Sequence, residues 1–151
     1  AGLNWKGFDF SVLLQGATRS SIYLQGDIAW DNSWGNYYEE HIGRWTPETA
    51  ATATYPRFTK AATATHPNYY KSDYWLKDSK YLRLKNIQLG YTIPRKLLKK
   101  IGIRSLRVYT NAYNLLTWDN VKKVDPESPN NSNGQFYPQQ KVINFGINLN
   151  F

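Results

Sequence analysis

The last ten residues, VINFGINLNF, alternate without a break. Ile143, Phe145, Ile147, Leu149 and Phe151 fall on one side of an extended strand, and Asn144, Gly146, Asn148 and Asn150 fall on the other. Successive side chains of a strand point to opposite faces, so period-two alternation of this length predicts a strand with one apolar and one polar face. Two environments accept such a strand. In a soluble sandwich the apolar face turns to a core. In an outer-membrane barrel it turns to lipid, and the polar face lines a wet lumen. A membrane-crossing strand takes about 9–11 residues, against about 5–6 for the common soluble strand, so length leans toward the membrane.

The same alternation recurs upstream. In WKGFDFSVLLQG, Phe8, Phe10, Val12 and Leu14 share one face and Asp9, Ser11 and Gln15 the other, predicting a strand over about 5–15. In SIYLQGDIAW, Ile22, Leu24 and Ile28 oppose Tyr23, Gln25 and Asp27, predicting a strand over about 20–30. The polar GATRS between them reads as the turn of a hairpin. A third strand, about 81–93, changes phase: Leu82 and Leu84 are apolar at even positions, but Ile87, Leu89, Tyr91 and Ile93 at odd ones. A bulge near Lys85–Asn86 reconciles the halves, because one extra residue resets the alternation. The alternative is that Leu82 and Leu84 lie beyond the membrane. PRKLLKKIGI then predicts a short helical turn, with Pro94 at its start and Gly102 at its stop. Further strands are expected over about 105–115 and 142–151.

The fold class expected is all-β and antiparallel, with five strands joined by connections of unequal length. GATRS and PRKLLKKIGI are tight, whereas about 31–79 and 117–141 are long. Connections that long are unusual in a compact domain. Alternating short and long connections is what outer-membrane barrels show, with short periplasmic turns and long extracellular loops.

Composition removes several function classes. Mean hydropathy is -0.63 and no run of about 18 apolar residues occurs, so no transmembrane helix is expected. Cysteine is absent, which excludes a disulfide framework and thiolate metal sites. The opening AGLNWKGFDF has neither an initiator Met nor the basic and apolar regions of a signal peptide, so the start reads as a cut through a longer protein. Eleven of the nineteen Lys and Arg lie between Lys71 and Arg107, opposed there only by Asp73 and Asp78. No nucleic-acid-binding motif accompanies this excess, so solvated loop and turn residues are the simpler reading and no nucleic acid is expected.

The stretch YLRLKNIQLGYTIPRKLLKKIGIRSLRVYTNAYNLLTWDN resembles the C-terminal region of the SusC/RagA family of TonB-linked outer-membrane transporters. The resemblance rests on an arginine–leucine strand, a glycine–tyrosine–x–x–proline end, a basic helical turn and a strand ending in asparagine–leucine–leucine. DPES, YPQQ, the terminal aromatic, WKGFDFSVLLQG and RWTPETAATATYPRF extend it over nearly the whole chain. It implies that this chain forms the last five strands of a transmembrane antiparallel barrel of about 22 strands with a plugged lumen. It also implies the outer membrane of a Gram-negative bacterium, and TonB-dependent import of oligosaccharides or peptides. The implied partners are a SusD-like surface lipoprotein, the TonB complex through parts outside this chain, and the barrel assembly machinery, which reads Phe145 and Phe151. GATRS and PRKLLKKIGI then become periplasmic turns.

Residues for contact with cargo or lid cluster in the first long loop: Trp34, Tyr37, Tyr38 and Trp45, with Trp30 nearby. Aromatic faces stack on sugar rings and anchor protein interfaces, although girdle or loop packing is the simpler role for Trp30 and Trp34. Asp9, Gln15, Gln25 and Asp27 are lumen candidates. No catalytic residue, metal site or cofactor is expected: Glu39, Glu40, His41 and His66 show no convergent ligand spacing, and Asp125 with Glu127 reads as a turn. The alternative function is a secreted β-sandwich that binds carbohydrate. It differs on Phe8, Phe10, Ile143, Phe145 and Ile147, which would be core in the sandwich and lipid-facing in the barrel.

Overall fold

The computed structural model describes residues 1–26, 29–31, 37–59, 66–121, 124–128 and 136–151. It divides into two units, 1–18 with 80–120 and 138–151, and 19–79 with 121–137. The first is one antiparallel five-stranded sheet. In sheet order its strands are β1 (Gly2–Trp5), β2 (Phe8–Ala17), β5 (Tyr81–Thr92), β6 (Ser105–Asp119) and β7 (Val142–Asn150). Two further strands, β3 (Ser21–Tyr23) and β4 (Leu76–Asp78), pair with each other in the second unit.

Register sorts the side chains of the sheet by chemistry. Phe10, Leu89, Thr110 and Phe145 lie abreast across four strands, as do Val12, Ile87, Ala112 and Ile143. The rows between them carry Ser11, Gln88, Asn111 and Asn144, then Asp9, Gly90, Tyr109 and Gly146. Cross-strand partners point to the same face, so one face is apolar and the other polar. The apolar face is bare: Phe8, Phe10, Ile143, Phe145 and Ile147 are 46, 38, 56, 83 and 69% exposed. A sandwich core would cover them. Among the described residues no helix is long and apolar enough to cross a membrane.

The phase change in β5 is a bulge. Leu13 of β2 faces Asn86 and the next residue, Leu14, faces Leu84, so Lys85 is the extra residue. Leu82 and Leu84 thereby share the apolar face with Ile87 and Leu89. The adjacent strand is irregular at the same level: Asn86 pairs with Tyr113 and Leu84 with Leu116, and Asn114 adopts φ +51°. Asn is among the few residues that accept this left-handed backbone. Its Nδ2 donates to the Gln140 carbonyl at 3.1 Å.

Two expectations are corrected. The strand expected over 5–15 is two strands, β1 and β2, because Lys6 and Gly7 form a tight turn with φ +47° and +92°. Two central residues of positive φ match the twist of a two-residue hairpin. The strand expected over 20–30 is not part of this sheet, and GATRS does not join two of its strands. Instead β2 pairs with β5, and the chain between them, 19–79, belongs to the second unit. Ile22 and Leu24 alternate because they enter that unit's own core, where both are buried. The sheet still has five strands, with Lys6–Gly7 and the 93–104 segment as its tight turns. In the latter, α1 (Arg95–Leu98) and a 3₁₀ turn at Lys99–Ile101 end at Gly102, whose φ of +75° is the left-handed stop expected there. β6 also runs four residues beyond its expected end.

The second unit has a core of Ile22, Leu24, Ala29, Tyr55, Tyr69, Trp75 and Val121, with Trp30, Phe58 and Val124 packed against it. Both of its chain segments contribute.

Candidate functional site

Two surfaces carry polar or aromatic chemistry. On the polar face of the sheet, Arg107 Nε donates to Asp9 Oδ1 at 2.9 Å and Nη2 donates to Oδ2 at 2.5 Å. This two-pronged pair links β2 to β6 across β5. Planar guanidinium against carboxylate is the strongest geometry an ion pair adopts. The strand between supplies Gly90. A Cβ there would lie 2.4 Å from Asp9 Oδ1 and 2.5 Å from Arg107 Nη2, so only glycine leaves room for the bridge. Gln88 Nε2 reaches Asp9 Oδ2 at 3.5 Å, and the Arg107 guanidinium lies 4.8 Å from the Tyr109 ring. That ring covers Gly146, where a Cβ would meet Cζ at 2.3 Å. Higher on the same face, the buried Arg83 donates from Nε to Thr117 Oγ1 at 3.0 Å.

Sequence reading found Asp9 here and missed Arg107, Gly90 and Tyr109. The available signal was parity: Arg107 is a cation at a polar-face position of a strand that holds no acidic residue until Asp119. Gln15 lies on the same face and donates to the Tyr81 hydroxyl at 3.3 Å. Gln25 is in the second unit, and Asp27 lies outside the described residues.

The second surface is built around a buried carboxylate and a buried imidazole. Asp31 accepts from the Tyr69 hydroxyl and, at 3.0 Å, from the Thr59 amide. The Tyr55 hydroxyl donates to the Ala29 carbonyl at 2.7 Å. Burial, reinforced by the Asp31 charge, pushes the hydroxyl pKa of Tyr55 above the ordinary phenol range. Burial and the hydrogen bond to Asp31 push Tyr69 the same way. Burial also raises Tyr74. The His41 Nδ1 accepts from the Tyr38 amide at 3.1 Å. Its ring is enclosed by Tyr55 at 4.6 Å, Phe58 at 5.6 Å, Tyr38 at 5.7 Å and Tyr37 at 6.0 Å.

These contacts sort the aromatic candidates. Tyr38 is half-buried and holds the 3₁₀ turn Glu39–Gly43 through its backbone and ring. Tyr37 is exposed and rests on Phe58 at 5.5 Å, with the Arg44 guanidinium 5.0 Å from that ring. Trp45 is exposed, its amide bonded to the Tyr55 carbonyl at 2.9 Å. Trp30 packs on Tyr69 at 4.8 Å, inside the unit. Trp34 lies outside the described residues. Tyr70 and Tyr74 are exposed aromatics that sequence reading did not single out. Among the described residues no three metal-ligating side chains converge. Asp125 accepts the Glu127 amide at 2.9 Å, the geometry of an Asx turn. Phe145 and Phe151 are both exposed.

No family model matches the chain. It is 30% identical over 165 residues to TonB-dependent receptor P26 of Formosa agariphila, covering 99% of this chain and 16% of that protein. To TonB-dependent receptor SusC of Bacteroides thetaiotaomicron it is 24% identical over 156 residues, covering 99% of this chain and 14% of that protein. Among solved structures, a chain of the RagAB peptide transporter matches with a TM-score of 0.75 and 26% identity, over 98% of this chain and 16% of that one. The chain therefore spans only 14–16% of the length of these relatives.

Proposed function

We propose, from the premise that this chain is a segment of a TonB-dependent receptor of the SusC/RagA kind, that the whole protein imports an oligosaccharide or a peptide across the outer membrane of a Gram-negative bacterium. The observation that carries the proposal is the bare apolar face of a sheet whose other face is polar and internally bonded. Lipid on one side and a wet lumen on the other satisfy both faces. The sheet is then five adjacent strands of the C-terminal wall of a barrel of about 22 strands, whose closure supplies partners for the free edges of β1 and β7. The second unit is extracellular, and the turns at Lys6–Gly7 and 93–104 are periplasmic.

In this reading the chain transports nothing by itself and catalyses no reaction. A SusD-like lipoprotein closes over the extracellular unit, and TonB acts through parts of the protein outside this chain. Tyr37, Tyr38 and Trp45 form the surface for cargo or lid, and Trp34, outside the described residues, is assigned to it from the sequence alone. Tyr37 and Trp45 supply contact, because their rings are exposed, whereas Tyr38 supports the turn beneath them. Phe145 and Phe151 serve the assembly machinery as well as the lipid-facing row.

The test is extraction of the full-length protein from its source membranes, followed by intact mass. At 17.5 kDa for 16% of a relative's length, the whole protein is expected at roughly 110 kDa, co-purifying with a surface lipoprotein. A soluble 17.5 kDa monomer would overturn the proposal and favour the carbohydrate-binding sandwich. In the intact transporter, Tyr37→Ala with Trp45→Ala is expected to slow uptake at unchanged outer-membrane abundance.

A further inference from the structure

The tight-turn end of the sheet combines uncompensated charge with bare apolar side chains. Hydrogen bonds tie its parts together. The Thr92 amide donates to the Gly7 carbonyl at 2.8 Å, the Ile93 amide to the Leu106 carbonyl at 2.9 Å, and the Arg104 amide to the Asn150 carbonyl at 2.9 Å. Lys6, Arg95, Lys96, Lys99, Lys100 and Arg104 are all exposed at this end. No Asp or Glu occurs between Asp78 and Asp119. The carboxylate nearest in sequence to Lys6, that of Asp9, is bonded to Arg107. Among the described residues none of the six cations has an acidic partner.

Interleaved with this charge are side chains that water disfavours. Leu97, in α1, and Ile101, at the end of the 3₁₀ turn that follows, are 68% and 65% exposed, while Leu98 is buried against the fold. Trp5 and Phe151 are also exposed at this end, and the Lys6 ammonium lies 5.0 Å from the Trp5 ring. At eight residues or fewer the turn is too short to bind a membrane unaided. Fixed to the rim of a sheet already in lipid, it has no such requirement.

We propose that this rim binds the phosphate headgroups of anionic phospholipid in the inner leaflet of the outer membrane. Leu97 and Ile101 enter the acyl boundary, and Lys96, Lys99 and Lys100 hold the phosphates. Charge complementarity selects the occupant, since clustered cations beside apolar anchors at a membrane surface attract anionic lipid. The inference rests on the membrane reading above, which sets the rim at the periplasmic interface.

Full-length protein extracted from the outer membrane is mixed with equimolar phosphatidylglycerol and phosphatidylethanolamine and read by native mass spectrometry. Bound phosphatidylglycerol is expected to exceed phosphatidylethanolamine by about tenfold or more, from three cations each contributing at the surface. The triple variant Lys96→Gln, Lys99→Gln and Lys100→Gln is expected to shrink that preference severalfold, leaving the part due to Lys6, Arg95 and Arg104. Raising ammonium acetate should shrink the wild-type preference, because screening weakens exposed charge pairs; this second reading needs no variant to fold. A preference left undiminished by the triple variant or by high salt overturns the proposal, as does parity in the wild type, which would point to an acidic periplasmic protein instead. Absence of the protein from outer-membrane extracts would overturn both this proposal and the membrane reading. Presence there without lipid preference overturns this one alone.

Discussion

Deleting Lys85 from β5 is expected to be tolerated, whereas inserting one alanine three residues further on is not. Lys85 is the extra residue of a bulge, and the sequence changes phase at that same point. Removing it leaves Asn86 joined to Leu84, and the regular pleat then keeps Leu82, Leu84, Ile87 and Leu89 on one face. The side-chain loss includes the hydrogen bond from Lys85 Nζ to Gln139 Oε1 at 3.1 Å, worth about 0.5–1.5 kcal/mol. An alanine between Gln88 and Leu89 has no compensating phase change. It turns Leu89 and Tyr91 to the polar face, at about 1.5–3 kcal/mol for each large apolar side chain, so about 3–6 kcal/mol together. One of them would also place a Cβ where Gly90 makes room for the Asp9–Arg107 bridge. A loss of that size is comparable with the whole stability of an ordinary domain, about 5–15 kcal/mol. The assay is the amount of heat-modifiable, protease-resistant full-length protein in outer membranes, with Lys85→Ala as a control expected to match wild type. The reasoning is refuted if the deletion abolishes folded protein while the insertion accumulates normally.

Gly146→Ala should lower folded yield, because its Cβ would meet Tyr109 Cζ at 2.3 Å. Adding Tyr109→Ser should restore the yield, and a double-mutant cycle reads the coupling. Asp31→Leu is expected to expose the second unit to protease on intact cells, since it strands the Tyr69 hydroxyl and Thr59 amide at about 1–3 kcal/mol for each buried group left unpaired. Tyr55 and Tyr69 have folded pKa values raised above the unfolded phenol value of about 10. Their contribution is therefore complete below about pH 10 and is lost as pH rises beyond it. Alkaline spectrophotometric titration should find these two tyrosines protonated until the unit unfolds. Ionisation of either one while the unit is still folded would contradict that.

Much of the sheet is legible in the sequence because alternation is a direct consequence of strand geometry. The phase change at Lys85 located a bulge, and Pro94 with Gly102 bracketed the helical turn. Two features were hidden for physical reasons. Lys6–Gly7 interrupts a run that still alternates on either side, and only Gly7 marks the turn. Ile22 and Leu24 alternate as well as any sheet residue, but periodicity records that one side is buried and not what buries it. The Asp9–Arg107 bridge was beyond reach because its partners are 98 residues apart and the glycine between them has no side chain to betray the contact. The aromatic loop residues were visible as a cluster. Which of them are exposed depended on His41, whose ring gathers Tyr38, Tyr55 and Phe58.

The core of the second unit draws on both long connections: Val121 and Val124 from one pack with Ile22, Leu24 and Trp75 from the other. The two segments are thus a single inheritable module carried on two separate stretches of gene. Exchanging 19–79 alone between relatives would strip Val121 of its neighbours, whereas exchanging 19–79 with 121–137 would move a complete core. Recombination that diversifies this part of the protein must therefore be paired, and chimaeras built to redirect uptake should cut at all four junctions together.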